Sequence, residues 1–151
     1  MKDVLENNDG FFVYFQMLVE MKKALQEVFA SGAFVIIATM AKPCGRWLCK
    51  NFIGKSASLE EVLEKFSGLM SDMNWGEFSF SQLDFKNGAG MVAVRNCFES
   101  RKMKGAAKPC CHFLANFIAG FLSELFAKNI IVVERKCIAK GDEHCEFRFH
   151  T

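Results

Sequence analysis

The sequence predicts an α+β domain, an antiparallel sheet of about four strands packed against several helices. Three observations predict it. Helical and strand patterns come in blocks rather than alternating, which argues against a parallel α/β sheet. Two turn signals, Asn87-Gly88 and Gly141-Asp142, each part a pair of strand-like runs in the manner of a hairpin. The chain has 151 residues, 51% hydrophobic and 24% charged, which suits one domain with its own core and excludes a disordered chain.

Residues 1–10 are polar and read as a flexible lead-in, leaving 11–151 as a single domain. Over 11–30 the apolar positions Phe15, Leu18, Val19, Leu25, Val28 and Phe29 recur at threes and fours, which predicts an amphipathic helix. Residues 11–15 fit a short strand equally well. Ser31-Gly32 ends the helix. Residues 33–52 read as a second helix, apolar nearly all round and therefore buried, with a kink or break at Pro43 and Gly45. Ser58 followed by Glu61 is a capping box, and Leu59, Val62, Leu63, Phe66, Leu69 and Met70 continue as a third helix over 58–73.

From Phe78 to Phe85 the period becomes two. After the Asn87-Gly88 turn, 90–98 reads as a well-buried strand. Residues 99–108 are polar and basic and read as a solvated loop. Pro109 opens a fourth helix over 110–127, which has no charge before Glu124 and carries small residues at Ala115, Ala119 and Gly120. Such a helix presses close to a neighbour, and Asn129 reads as its cap. The β-branched run at 130–133 and the alternating run at 145–149 flank the Gly141-Asp142 turn as a last hairpin.

Charge and composition exclude several functions. Nineteen basic against 17 acidic side chains give +2, too even for a nucleic-acid surface. No apolar run approaches the ~20 residues of a membrane span. The first residues lack the pattern of a signal peptide, so the expected location is the cytoplasm, with reduced thiols. Seven cysteines, an odd number, fit a disulfide framework poorly. There is no Gly-rich phosphate loop, nucleotide fingerprint or nucleophile–base pair, which disfavours an enzyme.

Cys137 and Cys145 flank the last turn and face each other across the predicted hairpin, within reach of one ion. Glu134 lies three residues before Cys137, and on a regular strand that odd offset points it to the opposite face, so a bulge is required. Cys110 and Cys111 open the fourth helix, where free backbone N–H groups favour a thiolate. Three thiolates and a carboxylate suit a tetrahedral zinc ion. Spacing alone favours core filling for these cysteines, since Cys-x7-Cys is not a standard zinc knuckle. His112 is a substitute ligand for Cys111, as is Cys110. Cys44, Cys49 and Cys97 read as core filler.

The stretch from Val133 through Glu134, Cys137, Gly141-Asp142 and Cys145 to Phe147 resembles the C-terminal signature of the 4-vinyl-reductase (4VR) domain family. That family includes sensor domains of aromatic-responsive activators and stand-alone predicted hydrocarbon-binding proteins. Its fold is shared with vesicle-tethering (TRAPP-like) subunits, and its members are usually dimeric. The resemblance implies a zinc ion held by Glu134, Cys137, Cys145 and one of the Cys110/Cys111 pair, with Cys111 favoured by its distance from Glu134. Phenol-sensing members also use a histidine and a tryptophan to hold phenol. This chain departs from them, with no His in its first hundred residues.

The resemblance also implies an apolar pocket, for which the 17 Phe, 8 Met and 2 Trp supply walls. Its expected lining is Phe34, Met40, Trp47, Phe66, Met70, Trp75, Phe78, Phe80, Phe113 and Phe117. The expected function is binding or sensing of an apolar or aromatic small molecule by a homodimer with structural zinc. The alternatives are a homodimeric interaction protein without a ligand and an accessory protein in tetrapyrrole reduction.

Overall fold

A computed structural model describes residues 15–53 and 58–151, with the side chains of 15, 52 and 53 left undescribed. The expected lead-in over 1–10 and the strand-or-helix question at 11–14 lie outside the described residues. The described chain has four α-helices and four strands: α1 (Phe15–Phe29), α2 (Gly32–Leu48), α3 (Leu59–Asp72), β1 (Glu77–Asp84), β2 (Ala89–Arg95), α4 (His112–Leu125), β3 (Ile131–Lys136) and β4 (Cys145–His150). The strands form one sheet in the order β1-β2-β4-β3, every neighbouring pair antiparallel. This is the α+β architecture that the blocks of periodicity predict.

α4 is the centre of the molecule. Nine of its 14 residues are buried, which is why its sequence carries no charge before Glu124. Its inner face lies over the sheet, where Phe66, Phe78, Val92, Val94, Ile118, Phe121 and Phe147 share one core. Its other side is crossed by α2 at backbone contact. A Cβ at Gly120 would overlap the carbonyl of Lys42, and one at Gly45 would overlap that of Phe117. Two glycines, one per helix, thus let the backbones meet.

That contact explains two departures from the sequence reading. α2 continues through Pro43 and Gly45 as one α-helix, without the break that the sequence offers as one alternative. Proline removes one helical donor, but packing against α4 holds the segment helical. A change of winding comes later, as a π-helical turn at Cys49–Ile53. Nor is α2 buried all round. Ala33, Ile37, Ala41, Gly45 and Leu48 face inward, while Phe34, Val35, Met40 and Trp47 are exposed.

Local chemistry fixes the remaining ends. The Ser58 hydroxyl accepts from the Glu61 N–H at 3.2 Å and caps α3. Asp84 accepts from the Asn87 N–H at 3.0 Å, and Gly88 takes a φ of 67° in the β1–β2 turn. β2 ends at Arg95, short of the predicted 98. α4 begins at His112, two residues past the predicted start. Asn129 does not cap α4. That helix ends through Ala127 at a φ of 50°, and the Asn129 side-chain oxygen accepts from Lys42 Nζ at 3.1 Å. The segment 96–111 is irregular but not simply solvated, since Cys97, Phe98, Glu99 and Ser100 are buried within it.

Candidate metal centre and ligand cavity

The β3–β4 connection builds one side of a thiol cluster. Cys137 is extended after β3. Its N–H donates to Asp142 Oδ2 at 2.8 Å, and Gly141 closes the turn at a φ of 102°, a conformation only glycine adopts freely. Cys145 then begins β4. The register slips between Glu134 and Lys136: Glu134 pairs with Phe147 and Lys136 with Glu146, leaving Arg135 as the extra residue. This is the bulge that the odd Glu134–Cys137 offset demands.

Cys111 supplies the other side from the N-cap position of α4 and is fully buried. The ligand atoms of Cys111, Glu134, Cys137 and Cys145 all lie within 4.8 Å of one another. Cys111 Sγ stands 3.9 Å from Cys137 Sγ and 3.8 Å from Cys145 Sγ. A tetrahedral ion with metal–sulfur bonds of about 2.3 Å would hold its sulfurs about 3.8 Å apart. The Cys111 N–H donates to Glu134 Oε2 at 2.8 Å, while Glu134 Oε1 is buried with no hydrogen-bond partner among the described residues. A buried carboxylate oxygen left unpaired is costly unless a cation answers it. Burial pushes the Glu134 carboxyl up to about 8. Hydrogen bonds from the Cys110, Cys111 and Cys145 thiols hold Cys137 far below the ordinary thiol range. The thiol of Cys111 is raised in turn by Cys110, Cys137 and Cys145, so the cluster shares its negative charge unevenly.

The candidate substitutes fall nearby but outside the group of four. Cys110 Sγ is 3.7 Å from Cys137 Sγ. His112 instead packs against Phe34, ring centroids 4.2 Å apart and the planes tilted by 46°. Burial, with Lys22 nearby, lowers its affinity for a proton. Cys97, taken as filler from the sequence, lies 3.8 Å from Cys111 Sγ against the cluster. Ser100 Oγ also borders it, 3.1 Å from Cys145 Sγ. Neither position carries a local spacing signal, because both arrive through the irregular 96–111 segment.

A cavity of about 390 Å³ opens beside the cluster, between α1, α2 and that same segment. Its walls are almost wholly apolar. Of the residues expected to line a pocket, Phe34, Met40 and Phe113 do so here. Trp47, Trp75 and Phe117 line a second, more open groove. Phe66, Met70 and Phe78 are buried in the core and Phe80 packs against it, so these four line neither. Sequence reasoning missed Leu18, Lys22, Phe98, Glu99 and Met103, all of which face the cavity.

Glu99 is the most informative of these. It is 3% exposed and accepts from the N–H groups of Phe113 at 3.1 Å and Leu114 at 2.8 Å, anchoring the start of α4. Lys22 of α1 reaches it at 2.5 Å and the Cys110 carbonyl at 3.3 Å. Burial raises the Glu99 carboxyl above the ordinary value, and Lys22 opposes the rise. Residues 109–113 therefore join two sites. Cys111 enters the thiol cluster, while Pro109, Cys110, His112 and Phe113 line the cavity.

Fold and site together define an α+β type of domain, in which a helix-covered antiparallel sheet carries an apolar cavity beside a cysteine-rich cluster. Residues 91–151 match the V4R domain, the family that the Glu134–Cys137–Cys145 signature resembles. The fold is similar to that of the phenol-responsive sensory domain of the transcription activator PoxR, solved with phenol (TM-score 0.79, 19% identity, covering 93% of this chain and 76% of that one). It is also similar to a vinyl-4-reductase family protein from Methanocaldococcus jannaschii (TM-score 0.63, 17% identity, 94% and 83% coverage). A trafficking protein particle complex subunit 3 from Naegleria fowleri, covalently bound to palmitic acid, shares it too (TM-score 0.68, 12% identity, 90% and 91% coverage). Among curated sequences, an uncharacterized Methanocaldococcus jannaschii protein is 26% identical over 116 residues, 77% of this chain and 64% of that protein. The chain thus spans less than two thirds of the length of the first curated relatives it matches.

Proposed function

We propose that this chain is a small-molecule binding and sensing domain. Its cavity takes an apolar or aromatic ligand, and Cys111, Glu134, Cys137 and Cys145 hold a structural zinc ion. The observation that carries the reading is the shared stretch 109–113, which contributes to both the cavity and the cluster. The cavity falls within the roughly 300–1,000 Å³ range of small-molecule sites and is lined mainly by apolar side chains. The phenol and palmitic acid held by two proteins of this fold support the same class of ligand.

Zinc is supported by the sulfur spacing and by the unpaired Glu134 Oε1. With four protein ligands such an ion is closed and supplies a cross-link rather than catalysis. The cross-link would tie the β3–β4 hairpin to the head of α4, and Glu99 and Lys22 would tie that head to α1. Ligand occupancy would then bias how these pieces sit, with the output passing to a partner. None of the seven cysteines is in a disulfide, which suits a reducing compartment such as the cytoplasm.

A second surface favours self-association. Met17, Met21, Val28 and Phe29 of α1 and Val35 and Trp47 of α2 are exposed apolar residues, a surface suited to a second copy of the chain. Two measurements test the main reading. Metal analysis should find about one zinc per chain, and thermal melts with phenols, alkylbenzenes and long-chain alcohols should show a rise in Tm. A folded protein without metal and with no Tm shift across the series would overturn it.

A further inference from the structure

The cavity walls are apolar, but its charged groups are not balanced. Those facing it are Lys22 and Lys23 from α1 and Glu99 and Lys108 from the irregular segment, with His112 and Cys110 beside them at the head of α4. Glu99 is fully engaged by Lys22 and by the backbone N–H groups of Phe113 and Leu114. Lys23 is answered by Glu20 at 2.9 Å, outside the cavity. Lys22 spends two of its three donors, on Glu99 and on the Cys110 carbonyl. Lys108 is exposed and has no ion pair or hydrogen bond among the described residues. Among the described residues, the cavity therefore offers one unanswered ammonium and one spare ammonium N–H beside an apolar chamber, with no acidic group left to receive a cationic ligand.

Resting on the reading of the cavity as a small-molecule site, we propose that its ligand is a free monocarboxylate with an apolar body. The hydrocarbon or aromatic part lies among Leu18, Ile37, Phe98 and Phe113. The carboxylate is received by Lys108 and the remaining donor of Lys22. Low-dielectric walls strengthen such a pair relative to one in open water. The buried Glu99 carboxylate disfavours a second acidic group, and the lysines disfavour an amine. The preference is therefore for one negative charge rather than for charge in general.

Calorimetric titration at pH 7 with matched probes tests this. Decanoate is compared with 1-decanol, and 4-phenylbutyrate with 4-phenylbutanol. Each acid should bind at least about tenfold more tightly than its alcohol, and the advantage should shrink as salt is added, because a rim ion pair is screened. Lys108→Glu alters an exposed side chain, and it should remove the acid's advantage while sparing the alcohol. Equal affinity for acid and alcohol would overturn the carboxylate proposal and leave the small-molecule reading standing, as would an acid preference unchanged in Lys108→Glu. Binding of neither member of either pair would overturn both.

Discussion

Glu99 receives the Lys22 ammonium and two backbone N–H groups of α4, so its replacement is felt at three points. Glu99→Gln keeps the shape and one acceptor but leaves the Lys22 charge without its partner. Breaking a buried pair from one side costs roughly 3–5 kcal/mol, and Lys22, still 19% exposed, should bring the loss nearer ~2 kcal/mol. A urea titration that finds less than about 0.5 kcal/mol would show that the pair does not hold α4. At the thiol cluster, Cys137→Ser should abolish stoichiometric metal binding and lower the Tm, whereas Cys44→Ser, at an exposed site, should do neither. Elemental analysis and melting of the two variants separate ligation from mere cysteine content. Neither Glu99 nor Cys97 was legible in the sequence. The groups they meet at the head of α4 are at least 14 residues away, and the segment bearing them has no periodicity from which to read a face.

At the scale of elements, the meeting of α2 and α4 gives a sharp contrast among glycines. Gly120→Ala drives a methyl group into the Lys42 carbonyl, and neither helix backbone can yield cheaply. A loss of roughly 1–3 kcal/mol is expected. Gly68, inside α3, has nothing within 4 Å of an added Cβ among the described residues. Gly68→Ala should therefore stabilise by about 0.5–1 kcal/mol. Thermal melts of the pair check both signs. In the β1–β2 turn, hydrogen bonds from the Asn87 backbone and side chain hold the Asp84 carboxyl below its usual range. A depressed carboxyl contributes stability above its unfolded value near 3.8, and that contribution is lost as pH falls through the lower folded value. Asp84→Ala should therefore cost stability at neutral pH but not in strong acid. Hairpins, the α3 cap and the crowding of α4 were all legible, because each rests on neighbours in sequence. The unbroken path of α2 through Pro43 was not, because what overrides the proline is the distant face of α4.

Across the whole molecule the two sites share residues 109–113, so occupancy of one should register at the other. Removing the metal by chelation should weaken binding of an apolar probe in the cavity, and by reciprocity the probe should raise the affinity for metal by the same factor. Identical probe affinity with and without metal would show that the sites are independent. The fold class was readable from block periodicity. Three of the four clustered residues were readable from a signature confined to the last hairpin. The pocket was only half readable, since a Phe in the core and a Phe in a cavity wall obey the same helical spacing.

The register slip in β3 has a further consequence. β3 is an outer strand of the sheet, and an outer strand with an unbroken row of open backbone groups invites another chain to add on. The slip that turns Glu134 toward the cysteines also breaks that row, at a point flanked by Arg135 and Lys136. One irregularity thus shapes the cluster and guards the edge against strand-by-strand polymerisation.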